Sequence, residues 1–354
     1  MAISIVQQPV SYSFSSTLAD TVLTTTADVS VTLTDKTTGT IILAETYVPD
    51  LDNYVYIRDL GKVIEGVIDM TALVGTYNLA ITDNAGSSFN FDFTVQYGTI
   101  EVNVGANIFI AHCFLTSLQG AKTTSLDRKE YLSLKVNTAT DITTTATYSQ
   151  NGVITTTTII GKTINISDGI VTVDVSPSCF ANSYQTLEQY TVTAGARSQT
   201  FIVDNISCAG TPSFVFINCF GVKETLTCMG LLDQENKYDG SQFCTNEGQY
   251  IKYYTLLVKT FTSNIGIQSQ AEAAWVEDIF MSKSVYLYDS SGVGKQITVI
   301  DPTVKRSSIA TELPSISFTW RYAQENNNIL KYKSAASSTL GNRIFDDTFD
   351  STFN

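Results

Sequence analysis

Basic residues are few. Lysine and arginine total 21 against 34 aspartates and glutamates, a net charge of −13. A general nucleic-acid binder neutralises phosphates with clustered Lys and Arg. No basic run occurs here, so no specific nucleic acid is expected as a partner. Proline is scarce at six residues and glycine moderate at 21, which excludes a collagenous or low-complexity chain. Histidine occurs once, as His112, and any Ser-His-acid triad would have to use it. No stretch of about 20 apolar residues exists, so no spanning helix and no membrane insertion is expected. The opening MAISIVQQPV lacks a basic segment followed by an apolar one and does not read as a signal peptide. Synthesis in a bacterial-type cytosol, without export, is the expectation.

The cysteines are Cys113, Cys179, Cys208, Cys219, Cys228 and Cys244, and none forms Cys-x-x-Cys. Their irregular spacing argues against a zinc ribbon. They read as buried free thiols in strands. The alternative is a disulfide within the Cys208–Cys244 cluster, and the lack of an export signal favours reduced thiols.

What the chain does have is apolar residues at 43 % and abundant Thr and Ser. Threonine is β-branched and fits a half-buried pleated surface. A length of 354 residues suggests two or three domains. In residues 1–97, VSVTLTD alternates Val29, Val31 and Leu33 with polar residues, the period of a half-buried strand. Tyr77, Leu79 and Ile81 lead into a turn at Asp83-Asn84-Ala85-Gly86, and Phe89, Phe91 and Phe93 return on one face. Leu60, Val63, Ile64, Val67 and Ile68 form one helical stripe, weakened by Gly61 and Gly66. Residues 98–208 carry many short strand patterns, with turns at SQNG and ISDG, and suggest a second sandwich.

Residues 209–340 differ in texture. SFVFINCFG and KETLTCMG are two strands around a turn, and YIKYYTLLVKTFTSN is a long strand candidate. Ser269-x-x-Glu272 is a capping-box pattern opening a helix on which Trp275, Ile279 and Phe280 share a face. The hairpin around SSGVG and the strand SISFTWRYA complete an antiparallel sheet. The fold class is therefore mainly β: tandem β-sandwich (Ig-like) modules at 1–97 and 98–208, then an antiparallel α+β domain with one helix at 209–340. Residues 341–354 read as a C-terminal tail.

Candidate chemistry is sparse. His112 lies in the apolar run FIAHCFL and reads as a core or turn histidine; with Cys113 on the opposite face of a strand it makes no dyad. Asp50, Asp52 and Asn53 resemble the start of a calcium loop but lack its Gly and closing Glu, so VPDLDNY reads as a loop lead-in. SSGVGK lacks the spacing of a phosphate-binding loop. Glu277 and Asp278 are neighbours on the helix and read as solvated rather than as an acid–base pair. No carboxylate pair of the glycosidase kind is identifiable. No catalytic, cofactor-binding or metal residue is assigned, no cofactor is expected, and the chain does not read as an enzyme.

Three stretches resemble structural proteins of phages and prophages of Bacteroidota. They are the opening ISIVQQPVSYSFSSTLADTVLTTTADVSVTL with LAETYVPDLDNYVYIRDLGKVIEGVI, the segment EAAWVEDIFMSKSVYLYDSSGVGKQITVIDPTVKRSS with LPSISFTWRYAQEN, and the ending RIFDDTFDSTFN. The resemblance covers roughly half the chain. It implies a virion component of the tail, neck or baseplate, assembled as a ring of copies through heterologous contacts and docked to other virion structural proteins. The competing reading is a host-receptor or carbohydrate-binding module on a virion or a cell surface. At the end of the chain, Phe345, Phe349 and Phe353 recur every four residues among Asp346 and Asp350. These five are the candidate partner-binding residues: rings that fill pockets on a neighbour while the acids stay wet.

Overall fold

In the computed structural model, the described residues are 3–102, 104–165, 168–204, 211–267, 269–289, 292–300, 302, 304 and 314–324. The chain is mainly β, with several sheets and few helices. It divides into two compact units, Met1–Gln234 with Phe261–Ala323, and Glu235–Thr260 with Gln324–Asn354.

The first strands are β1 (Ser4–Gln7), β2 (Tyr12–Phe14), β3 (Thr21–Thr24), β4 (Val29–Asp35), β5 (Ile41–Tyr47) and β6 (Tyr54–Ile57). Helix α1 (Leu60–Glu65), β7 (Val74–Asp83) and β8 (Ser88–Gln96) follow. A three-stranded sheet β1-β3-β6 and a five-stranded sheet β2-β8-β7-β4-β5 share one core. Val29, Val31 and Leu33 of β4 are fully buried, and Val31 and Leu33 stand opposite Ile81 and Leu79 of β7. The alternation in VSVTLTD thus points its apolar side at the core. Each such side chain contributes about 1.5–3 kcal/mol on full burial.

Helix α1 is shorter than its apolar stripe. It ends at Gly66; Leu60, Ile64 and Ile68 are buried, whereas Val67 is exposed. Gly61, a weak helix former, has a packing reason. A Cβ there would lie 2.0 Å from the backbone oxygen of Ser15, on which the helix rests. Gly61→Ala therefore forces the helix off that backbone and should cost about 1–3 kcal/mol in denaturant unfolding. A variant as stable as the parent would show that the contact yields freely.

The second group is helix α2 (Ala106–His112), β9 (Lys122–Ser125), β10 (Tyr131–Val136), β11 (Thr140–Gln150), β12 (Val153–Ile164), β13 (Gly169–Asp174), β14 (Thr186–Ala194) and β15 (Arg197–Asp204). Its sheets are β12-β11-β14-β15-β9 and β10-β13. The β11–β12 hairpin turns at Asn151-Gly152, both with positive φ. In the core, Tyr190 stacks on Phe201 at 4.8 Å, and its hydroxyl donates to the Val175 carbonyl at 2.8 Å. Threonines pair across strands, Thr143 with Thr193 at 2.6 Å and Thr191 with Thr200 at 2.9 Å. Such cross-strand hydroxyl pairs account for part of the threonine excess.

The third group is β16 (Ser213–Ile217), β17 (Lys223–Thr227), β18 (Leu232–Cys244), β19 (Tyr250–Ile267), α3 (Gln270–Trp275), α4 (Glu277–Met281), β20 (Val285–Asp289), β21 (Gly292–Ile300) and β22 (Ser315–Tyr322). The sheet order is β17-β16-β20-β21-β22-β19-β18. Trp320 is its centre. It stacks on Phe261 at 4.4 Å, meets Phe214 edge-on, and donates its indole N–H to Ser263 at 2.8 Å. The capping box forms as the spacing requires: Ser269 Oγ accepts from the Glu272 N–H, and Glu272 accepts from the Ser269 N–H. The single expected helix is two short ones that meet at Val276.

Three local readings are corrected. His112 is not in the core: it is the exposed last residue of α2, and since this is a helix, the strand geometry assumed for His112 and Cys113 does not apply. Among the described cysteines only Cys228 is buried; Cys113, Cys179 and Cys244 are exposed and Cys219 is half-buried. Cys113 follows a helix and Cys179 ends a 3-10 turn, so the strand environment assumed for them is absent. Cys208 lies outside the described residues. Asp278 is half-buried rather than freely solvated: Ser117 Oγ donates to it at 3.2 Å, and partial burial pushes its carboxyl above the usual range.

Candidate interaction surface

Two places concentrate functional groups. The first lies between the second group and the seven-stranded sheet. Lys122 of β9 is buried, and its Nζ donates to Glu130 Oε2 at 2.5 Å and to the Thr225 carbonyl at 2.6 Å. The ammonium also sits 4.7 Å from the centre of the Trp275 ring. Glu224 of β17 accepts from Thr116 Oγ1 at 2.7 Å, Trp275 Nε1 at 2.9 Å and Asn218 Nδ2 at 2.9 Å. This is a closed network. The cavity beside it holds only about 10 Å³, which leaves no room for a substrate. Its role is to join elements.

Glu224 also carries a pH dependence. Burial raises its pKa from 4.5 to about 7, against the pull of Lys122 and the Asn218 and Thr116 hydrogen bonds. Between those values the folded protein keeps a proton that the unfolded chain has lost. The stability this group contributes is therefore full below the window and falls as pH rises through it, by up to about 3 kcal/mol. Glu224→Gln removes the titration. Denaturant unfolding on either side of the window should show a flatter pH slope in the variant; an unchanged slope would assign the dependence elsewhere.

A groove of about 730 Å³ runs beside α2 and is lined by Glu101, Phe109, His112, Cys113, Ser198 and Gln199 among others. Burial pushes the Cys113 thiol up, with Arg197 pulling the other way. The thiol is thus protonated at neutral pH and is a poor nucleophile. The calcium-like stretch is a turn: Asp50 Oδ1 accepts from the N–H groups of Asp52 and Tyr54 at 2.9 and 2.8 Å, with Asn53 left-handed. Among the described residues no group of three or more His, Cys, Asp or Glu converges as metal ligands.

The second place is the distal part of the β18–β19 hairpin, residues 235–260, the described core of the second compact unit. At its tip the Thr245 N–H donates to the Gln249 carbonyl at 2.8 Å, and Gly248 takes a positive φ of 80°. Gly240 packs flat on the facing strand: a Cβ there would lie 2.8 Å from the Tyr254 carbonyl oxygen. All 13 residues of β18 are exposed. Exposed apolar side chains crowd the hairpin: Tyr238, Phe243, Tyr250, Ile251, Tyr253 and Tyr254. Phe243 and Tyr253 stand 6.1 Å apart. Its charges cancel, Glu235, Asp239 and Glu247 against Lys237, Lys252 and Lys259, in a chain whose net charge is −13. Along β19 the exposed apolar side chains alternate, so Tyr250 and Tyr254 stand on one face of the hairpin and Ile251 and Tyr253 on the other.

Sequence reading assigned β19 and missed β18. LDQENKYDGSQFC has no apolar alternation because neither of its faces is buried. The signal was the Thr-Asn-Glu-Gly turn before the long strand, which requires a returning partner. The residues assigned to partner binding, Phe345, Phe349, Phe353, Asp346 and Asp350, lie outside the described residues.

No protein-family model matches the chain, and no curated protein matches it. Among solved structures, a tetra-tandem repeat in the extending region of a large adhesion protein aligns at 14 % identity, covering 74 % of this chain and 69 % of that one, with a TM-score of 0.20. A Ca2+-stabilised adhesin that helps an Antarctic bacterium reach out and bind ice aligns at 10 % identity, covering 91 % and 98 %, with a TM-score of 0.16. Scores this low carry no inference about this chain. The fold and the surface define a multi-sheet β protein with an exposed aromatic hairpin.

Proposed function

We propose that the chain is a structural protein of a bacteriophage virion, in the tail, neck or baseplate, that assembles as an oligomeric ring and docks neighbouring virion proteins. The observation that carries this is the charge-neutral hairpin 235–260 with its exposed tyrosines and phenylalanine. Exposed aromatic area of this kind has its use in protein contact. The sequence resemblance points the same way. On this reading the protein is made in the bacterial host cytoplasm and resides in the particle, with copies of itself and other virion proteins as partners. Proteomics and electron microscopy of purified particles test it, and absence from the particles would overturn it.

The same tyrosines support a second reading, a host-receptor or carbohydrate-binding module, because aromatic faces also stack on sugars. The two tryptophans, Trp275 and Trp320, are buried and take no part in such a platform. A glycan array separates the readings: specific hits favour the second, and none removes it.

On the assembly reading, the C-terminal residues Phe345, Phe349 and Phe353 dock on a neighbour with Asp346 and Asp350 at the rim. A chain ending at residue 343 should melt at the parent temperature and fail to enter particles. A truncated chain that assembles normally would remove the docking role of the tail.

A further inference from the structure

We infer that the groove beside α2 receives a basic side chain, lysine or arginine, presented by a segment of a partner protein. This goes beyond the assembly reading and does not rest on it.

The groove is built from buried and anchored parts. Phe114 and Leu118 are buried and Phe109 is half-buried, which gives it an apolar wall. The strap before α2 is tied down: the Ile100 N–H donates to Ser16 Oγ at 3.1 Å, and Ser16 Oγ donates to the Ile100 carbonyl at 2.6 Å. Glu101 follows directly and is exposed. Among the described lining residues it carries the only formal charge, histidine being counted neutral.

The deepest polar group is an acceptor. Gln199 is only 6 % exposed, and its Nε2 donates to the carbonyls of Gly120 at 2.7 Å and Thr200 at 3.1 Å. Two carbonyl partners fix which end of the amide is nitrogen, since a flipped amide would set oxygen against oxygen. Its Oε1 has no partner among the described residues and is not sealed from solvent. Gln199 lines both the groove and the 10 Å³ cavity behind it, so its amide stands where the two meet. The hydroxyl hydrogens of Thr116 and Ser117 are spent on Glu224 and Asp278, so these two residues offer the groove no donor.

These features select the occupant. An acidic ligand meets Glu101 and a net charge of −13. The acidic C-terminal residues of a second copy fail for the same reason. A purely apolar ligand covers the Gln199 oxygen without giving it a donor, and a buried unpaired acceptor is costly. A lysine or arginine side chain satisfies both groups. Its methylenes lie along the Phe109 and Leu118 wall, and its head donates to Glu101 and Gln199. A groove of about 730 Å³ matches a whole small ligand rather than one side chain, which leaves room for the flanking residues of the same segment.

Cys113 supplies the readout. It lines the groove and is exposed; Cys179 and Cys244 are exposed and do not line it. The probe is a blocked hexapeptide with a central lysine among serines and valines, made also with arginine, norleucine or glutamate at that place. Alkylation of the full chain by iodoacetamide is followed by mass spectrometry. The lysine and arginine peptides should slow modification of Cys113, with saturation by about 1 mM, and leave Cys179 and Cys244 unchanged. Norleucine, which keeps the stem and lacks the charge, should bind about tenfold more weakly. The glutamate peptide should not protect. Glu101→Gln, at an exposed position, should weaken the lysine peptide by about three- to fivefold and leave the norleucine peptide unaltered. Gln199→Met removes the acceptor and should weaken the lysine peptide by about tenfold, with norleucine binding reporting that the groove is intact. The proposal is overturned if neither basic peptide protects Cys113, if norleucine protects equally, or if all three cysteines are slowed alike. Lysine-peptide binding unchanged in both variants would also overturn it. Free butylammonium that protects as well as the peptide would replace the partner segment with a small amine.

Discussion

The buried ammonium of Lys122 is the group on which the joint between the second sandwich and the seven-stranded sheet depends. It reaches Glu130 on one side and the Thr225 carbonyl on the other, with the Trp275 ring beside it. Three glutamates from different elements converge there. Glu130 takes the lysine, Glu224 takes Thr116, Asn218 and Trp275, and Glu272 caps α3 while accepting the Thr123 N–H of β9 at 2.5 Å. Burying charge in this way contributes little net stability, because desolvation offsets most of the Coulomb attraction. Its effect lies in geometry. An apolar joint tolerates sliding by an ångström, whereas a lysine held between a carboxylate and a carbonyl tolerates little displacement before a buried charge is left alone.

Electrostatics acts differently at the surface. A net charge of −13 makes copies repel at long range, and salt screens this over roughly 10 Å. On the assembly reading, association would depend on short-range contact where the local charge vanishes. The hairpin 235–260 is such a place: its acids and lysines balance, and its tyrosines supply apolar area. Acidic repulsion elsewhere would suppress random contacts, so on the same reading the net charge would favour a defined contact.

Much of the fold was legible because β-strands with one buried face advertise it. Val29, Val31 and Leu33, the Phe89–Phe93 return strand and the Ser269–Glu272 box all behave as their spacing requires. What failed had a common cause: the signal lay outside the local sequence. β18 has no buried face, so no alternation marks it. Asp278 looks like a surface acid until Ser117, distant in sequence, covers it. His112 sits in an apolar run because α2 needs Ala106 and Ile110 buried, while His112 itself faces out at the helix end. The carboxylates of the buried joint are separated by more than 90 residues between Glu130 and Glu224, and no motif announces a contact across such a distance.

The strand β19 changes character along its length. From Leu257 onward it builds core, with Phe261, Ser263 and Ile265 buried in alternation. From Tyr250 to Thr255 every residue is exposed. Its backbone runs beside β18 in the sheet, so the ladder supplies the main-chain hydrogen bonds and asks nothing of the side chains at the distal end. Those positions are then free to vary for recognition without loss of the core. Tyrosine suits them, because it offers large area at small conformational cost and keeps a hydroxyl for water when no partner is bound. An aromatic hairpin of this kind is tolerated in a free chain and becomes an advantage once a partner covers it.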